Sequence, residues 1–145
     1  MKVLNEMKMQ IESRSVNEGF SRVTVAAFAA SLDPTVEEIN DIKTAVSEAV
    51  TNCIVHAYRN QVGRIYINVR IFDNSTVEIK IRDRGCGIDD VEKAMEPLFT
   101  TLGGDRAGLG FSVMESFCDS VRVRSAVGRG TTVTLIKKIR GKGAF

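Results

Sequence analysis

No apolar run in this 145-residue chain is long enough to span a bilayer. Nor do the first residues form a secretory apolar segment, since they alternate polar and apolar side chains, and a cytoplasmic protein is expected. Cysteine is scarce: Cys53, Cys86 and Cys118 are odd in number and widely spaced, and no pair resembles a zinc knuckle or a redox motif. Neither sign of charge dominates. The 20 basic and 18 acidic residues leave a net charge of +2, which makes no electrostatic case for direct nucleic-acid binding. The short basic stretch Lys137-Lys138-Ile139-Arg140-Gly141-Lys142 reads as a solvated end. Repeats, low-complexity tracts and linkers are missing, and the absence of a Walker sequence excludes a P-loop nucleotide site. What is present has the size and composition of one globular domain over 1–145, with 43% hydrophobic and 26% charged residues. That length suffices for a core without metal or disulfide staples.

The pattern along the chain predicts helices early and hairpins late. Lys8 to Glu12 alternates as a strand, with Met7, Met9 and Ile11 on one face. Ser15 and Glu18 stand in capping-box spacing, and Val16, Phe20, Val23 and Ala27 predict one buried helical stripe. Pro34 suits a first helical turn, and Thr35 with Glu38 offers a second capping box. The helix that follows is expected to run to about Tyr58, with Ile39, Ile42, Val46, Ala49, Val50 and Cys53 on its apolar face. Two alternating strands come next, Ile65 to Ile71 and Val77 to Ile81, around a turn at Asp73-Asn74-Ser75. After glycine-rich segments, a helix is expected from about Leu109 to Cys118. A hairpin closes the chain, Val121 to Val127 and Thr132 to Ile139 around Gly128-Arg129-Gly130. This order argues for an α+β class, a two-layer α/β sandwich.

Three places carry chemistry. Glu48, Asn52 and His56 are four residues apart and form one polar row beside the apolar stripe, as at the edge of a cleft. Asp83 shares the parity of Val77, Ile79 and Ile81, so its carboxylate faces the core, where it is costly without hydrogen bonds. Gly85 and Gly87 follow it and leave bare backbone. Together they make a slot for a flat ligand with a donor, a description that the exocyclic amine of adenine fits. Leu98 to Gly110 is a Thr- and Gly-rich loop running into a helix, whose glycine-lined N-terminus suits a phosphate, with Arg106 in reach of a terminal one. Each has a plainer reading: a solvated polar face, a capped tight turn, and a mobile surface loop.

In this order, and with Gly130-Thr131-Thr132 after them, the three segments resemble the ATPase fold shared by gyrase, Hsp90, histidine kinases and MutL. Glu48-Ala49-Val50-Thr51-Asn52 looks like its N-box, Asp83-Arg84-Gly85-Cys86-Gly87 like the first glycine box and Gly108-Leu109-Gly110 like the second. Within that superfamily the stretches FSRVTVAAF, IKTAVSEAVTN, PLFTT and GTT make the chain similar to the small serine kinases that serve as anti-sigma factors. The resemblance implies a Bergerat-type fold, a mixed and mostly antiparallel sheet covered by helices on one face. It implies ATP or ADP as ligand with Mg²⁺ on Asn52, Glu48 as general base, and Asp83 on the adenine amine with Thr131 nearby through water. Gly85 and Gly87 would line the adenine slot. Thr100, Thr101, Arg106, Gly108, Leu109 and Gly110 would belong to the lid and phosphate site.

The partners implied are a sporulation sigma factor of the sigma-F type and an anti-anti-sigma protein phosphorylated on serine. A homodimer through the N-terminal strand is implied as well, with Arg22 on helix one near the sigma-binding face. A stress-response anti-sigma kinase and a non-catalytic ATP-dependent switch are the alternative readings. Arg84 departs from the pattern, standing where an acid is common.

Overall fold

The computed structural model describes residues 1–96 and 109–141. Its strands are β1 (Val3–Glu12), β2 (Arg64–Phe72), β3 (Thr76–Arg82), β4 (Ser120–Ala126) and β5 (Gly130–Lys138), and its helices are α1 (Val16–Ala29), α2 (Val36–Asn52), α3 (Val91–Met95) and α4 (Phe111–Phe117). The strands form one sheet in the order β1-β2-β3-β5-β4. Every pairing among the described strands is antiparallel, so the sheet lacks the parallel component that "mixed" allowed for. Alternation decides which side chains face the helices: Ile65, Ile67, Val69, Val77, Ile79, Ile81 and Leu135 are buried against Val25, Ile42, Val46, Val50 and Met114. The fold is thus the expected two-layer α+β sandwich, helices on one face of the sheet.

Helix α2 starts as its sequence dictates. Thr35 Oγ1 accepts from the Glu38 N–H at 3.1 Å, and Glu38 Oε1 accepts from the Thr35 N–H at 2.9 Å. The carboxylate also accepts from the N–H groups of Arg140 (2.7 Å) and Gly141 (3.1 Å), clamping the end of the last strand to the start of α2. Burial raises the Glu38 pKa, but the donors outweigh it and the carboxyl lies below its ordinary value. Pro34 precedes the cap and does not occupy the first helical turn.

Helix α1 differs from expectation in two ways. Ser15 makes no side-chain cap bond, its backbone being already helical (φ −58°, ψ −31°), and the Glu18 carboxylate accepts from the Ser47 hydroxyl of α2 instead of completing a box. The expected stripe is also on the wrong side: Val16, Phe20 and Val23 are 76%, 56% and 55% exposed, and Ala27 is exposed as well. Ser21, Val25, Ala26 and Ala29 are buried in their place. Their small side chains let α1 approach α2 closely, and the one hydroxyl among them donates to Asn17 O at 2.7 Å. Close approach selected the face that apolar periodicity alone did not.

Three further differences concern the ends of elements. Strand β1 begins at Val3, earlier than the alternation suggested. Helix α3 was not expected; Asp90 caps it by accepting from the Lys93 N–H at 3.0 Å. Lys137 is not part of a solvated end. Its Nζ is 3.2 Å from Asp41 Oδ2 and donates to Phe117 O at 2.8 Å, tying β5 to α2 and α4.

Replacing Thr35 by Ala should destabilise the protein by about 1 kcal/mol in urea denaturation, whereas Ser15→Ala, with no cap bond to lose, should stay within about 0.5 kcal/mol of the parent. Equal losses would contradict the difference between the two helix starts.

Candidate nucleotide site

Two devices bring the chemistry-bearing segments together. The first is the end of α2. The row Glu48, Asn52, His56 was expected on one continuous helix, but after Asn52 the chain widens into a π-helical turn, Cys53–Ala57, closed by the Tyr58 N–H to Cys53 O bond at 3.1 Å. That turn presents the Ala57 carbonyl to the glycine turn, where it accepts from the Cys86 N–H at 3.0 Å. Backbone meets backbone here, and a Cβ on Gly85 would overlap the Ala57 carbonyl oxygen. Glycine at 85 is therefore a requirement of this contact.

The second device is Asp83. Its inward parity is borne out: it is 5% exposed. Oδ1 accepts from the Gly85 N–H at 2.9 Å and the Thr131 N–H at 3.2 Å, and the Asp83 N–H donates to Thr131 O at 2.9 Å. One carboxylate oxygen thus joins the end of β3, the glycine turn and β5. Burial pushes its pKa above the ordinary value, opposed by the donors Gly85, Cys53 and Thr131. The Cys53 thiol, buried beside it, is pushed well up by desolvation and by this carboxylate.

Between these parts lies a cleft of about 480 Å³, walled by Asn52, Cys53, His56, Asp83, Gly87, Leu109 and Thr131 among others. Arg59 and Lys93 also line it, together with Asp89 and Asp90, so both signs of charge border the cleft. Asn52 donates from Nδ2 to Leu109 O at 2.5 Å, which leaves its amide oxygen as an acceptor. Glu48, one turn earlier, is not on this wall. Its carboxylate lies against Gly110, whose φ of +67° and lack of a side chain permit the contact at the start of α4. Of the expected site residues, Asn52, Asp83, Gly87, Leu109 and Thr131 line this one cleft, while Gly85 packs on the Ala57 carbonyl and Gly110 lies against Glu48. Thr100, Thr101, Arg106 and Gly108 lie outside the described residues.

Sequence reading missed Ser125. Its hydroxyl accepts from the Ile88 N–H at 2.7 Å and stands 2.8 Å from Thr131 Oγ1, holding the chain after the glycine turn against β5. The signal was available: Ser125 has the parity of Val121 and Val123, and a polar residue at an inward position opposite Thr131 asks for a reason. Lys93 and Ala94 were missed with α3 itself.

Comparison with known proteins agrees with this geometry. Residues 12–137 match the family model described as the histidine kinase-like ATPase domain. The chain is 57% identical over 140 residues to an anti-sigma F factor of Caldanaerobacter subterraneus subsp. tengcongensis, covering 96% of this chain and 97% of that one. It is 49% identical over 143 residues to an anti-sigma F factor of Priestia megaterium, with 97% of each covered. Among solved structures, the RsbU and RsbW domains of a Mycobacterium tuberculosis protein superpose with a TM-score of 0.69 at 20% identity, over 93% of this chain and 32% of that longer one. The mycobacterial sensor histidine kinase MprB gives 0.57 at 16% identity, over 93% of this chain and 99% of that one. These two structural likenesses speak for the fold.

Asparagine at 83 keeps an oxygen for the Gly85 and Thr131 N–H groups but turns the remaining acceptor into a donor. Asp83→Asn should weaken ADP binding roughly ten- to hundredfold in isothermal titration. The raised pKa means that this group favours folding below its ordinary range and loses that contribution as pH rises through the raised value, so the unliganded variant should melt higher than the parent at neutral pH. For the parent, ADP affinity should fall as pH drops through the Asp83 pKa, since the protonated oxygen no longer accepts. Unchanged affinity in the variant would remove the adenine role.

Proposed function

The chain belongs to the histidine kinase-like ATPase domain family, and within it to the anti-sigma F factors; on that premise we propose that it binds and inhibits a sporulation sigma factor of the sigma-F type and, as an ATP-dependent protein serine kinase, phosphorylates a serine of an anti-anti-sigma factor. The observation that carries the nucleotide part of this reading is the Asp83 carboxylate. It is buried at the cleft wall, with Oδ1 accepting from the Gly85 and Thr131 N–H groups and acceptor capacity remaining on the carboxylate for a ligand donor such as the adenine amine. Thr131 and Gly87 stand beside it on the cleft wall.

The donor set suits Mg²⁺ held mainly by phosphate oxygens. Among the described residues no cluster of three His, Cys, Asp or Glu is placed to bind a metal, while the Asn52 amide oxygen is available at the cleft. When bound, Mg²⁺ supplies charge neutralisation on the phosphates. Asn52 would hold it, and Arg106 would meet the terminal phosphate, with Thr100, Thr101 and Gly108 in the lid. Glu48 would take the proton from the substrate serine hydroxyl, and its place one helical turn from Asn52 supports that role. Phosphoryl transfer depends mainly on positioning and charge stabilisation, so this small set of groups suffices.

Two exposed surfaces support the partner reading. Among the described strands β1 pairs only with β2, which leaves its other edge for a second copy of the chain, and Val3 and Leu4 at its start are exposed. On α1 the exposed Phe20 and Val23 flank Arg22, whose side chain is 40% exposed, a combination suited to protein contact. Arg22 would then contribute to the sigma-binding face of a homodimer acting in the cytoplasm. No helix of the described residues is long and apolar enough to cross a membrane.

Glu48→Ala should retain ATP binding and phosphorylate the purified anti-anti-sigma protein about 10²- to 10⁴-fold more slowly. Transfer at the parent rate would overturn the base assignment. A pull-down with a purified sigma-F-type factor should retain it in the presence of ATP; no retention would end the anti-sigma reading and leave the nucleotide site standing.

A further inference from the structure

The sheet face turned away from the helices carries its charges in rows set by strand register. Lys8, Asn68, Lys80, Thr134 and Arg122 lie side by side across β1, β2, β3, β5 and β4. The next row is Gln10, Tyr66, Arg82, Thr132 and Arg124. These two rows hold five exposed cations and no acid. The rows on either side contain acids: Glu6 pairs with Arg70 at 2.6 Å and Glu12 with Arg14 at 2.9 Å, while Glu78 stands opposite Arg70 in register and makes no ion pair among the described residues. None of the five cations has an ion-pair partner among the described residues. Lys8, Gln10, Tyr66, Asn68, Lys80 and Arg82 border a depression of about 420 Å³. The Asn68 Oδ1 there is out of water's reach and accepts no hydrogen bond.

A lone lysine on a sheet is ordinary. A band of like charge two rows deep, with acids only in the rows at its margins, raises the local potential and repels itself unless an anion covers it. The spacing indicates which anion. Adjacent strands are about 4.8 Å apart, so Lys8, Lys80 and Arg122, each two strands from the next, recur at about 10 Å. An α-helix rises about 1.5 Å per residue, and carboxylates seven residues apart on it recur at about 10.5 Å. Single-stranded nucleic acid fits less well, because base stacking needs open aromatic faces. The band's one aromatic ring, Tyr66, already has the Arg82 and Arg84 guanidinium carbons 5.6 Å and 5.0 Å from its centre.

We propose that this band is a docking surface for an acidic protein helix, laid across the strands with carboxylates on one face at seven-residue intervals. The surface is separate from the nucleotide cleft, which draws on the inward residues of the same strands, Thr131 and Val133. It follows from the register and does not depend on the proposed kinase activity.

Fluorescence anisotropy on the full chain tests it with three labelled probes. They are an alanine-based helical peptide of about 22 residues with glutamates seven apart on one face, a peptide of the same composition with glutamates dispersed around the helix, and an oligothymidylate of about twenty nucleotides. The one-faced peptide should bind about tenfold tighter than the dispersed one, with affinity falling as salt rises. Lys8→Glu/Lys80→Glu/Arg122→Glu should abolish the preference with ADP affinity unchanged. The milder Lys80→Gln/Arg122→Gln should reduce it, which keeps the test decisive if charge reversal disturbs the sheet. Equal binding of the two peptides, a preference that survives both variants, or tighter binding of the oligothymidylate would each overturn the proposal.

Discussion

A carboxylate turned inward at the end of a strand has to recover the hydration it gives up. Asp83 does so by accepting from the N–H groups of Gly85 and Thr131, which forces the glycine turn to fold back over the strand end and draws β5 alongside. Other contacts follow from that constraint. With the turn folded back, Cys86 reaches the Ala57 carbonyl and the Gly128 N–H reaches the Cys86 carbonyl at 2.8 Å, so the wide turn after α2 and the β4–β5 hairpin meet over one residue. The cleft is the space these backbone contacts enclose, with the Asp83 carboxylate on its wall.

Helix α2 serves the core and the cleft at once. Its buried side carries Ile42, Val46 and Val50 beside the small Ala45 and Ala49, which allow close packing of α1 and α4. Asn52 and Glu48 reach the start of α4, at Leu109 and Gly110. The Glu18–Ser47 bond joins α1 to α2 one residue before Glu48. The helix that exposes Phe20 and Val23 is thus bonded directly to the helix that carries Glu48 and Asn52.

The sheet has two faces of different character because strand residues alternate. Inward positions hold the isoleucine and valine layer and the polar pair Asp83 and Thr131; outward positions hold the cationic band. Arg84 lies where the two meet. Its backbone N–H donates to the Tyr58 hydroxyl at 2.7 Å on the helix side, while its guanidinium stands over Tyr66 on the outer side. Arg84 is thus part of the outer surface, one position from the Asp83 carboxylate.

Much of this was legible in the sequence because it depends on local spacing. Period-two alternation identified β2 and β3 and placed Asp83 inward. The Thr35–Glu38 box marked the start of α2, since both partners lie within one turn. The N-box and glycine-box segments in order pointed to the ATPase fold, and residues 12–137 match a family model of that kind. What local spacing could not decide was anything that depends on a partner distant along the chain. Two apolar arcs compete on α1, and only packing against α2 shows that Val25 and Ala29 go in while Phe20 and Val23 stay out. Glu18 leaves its capping role for a serine 29 residues away. The cationic band exists only because register aligns residues of separate strands, from Lys8 to Arg122. Sequence determined the elements and the chemistry available, because propensity and periodicity act over a few residues. Tertiary structure decided which faces are buried and which charges gather, because those depend on contacts between segments that no short window contains.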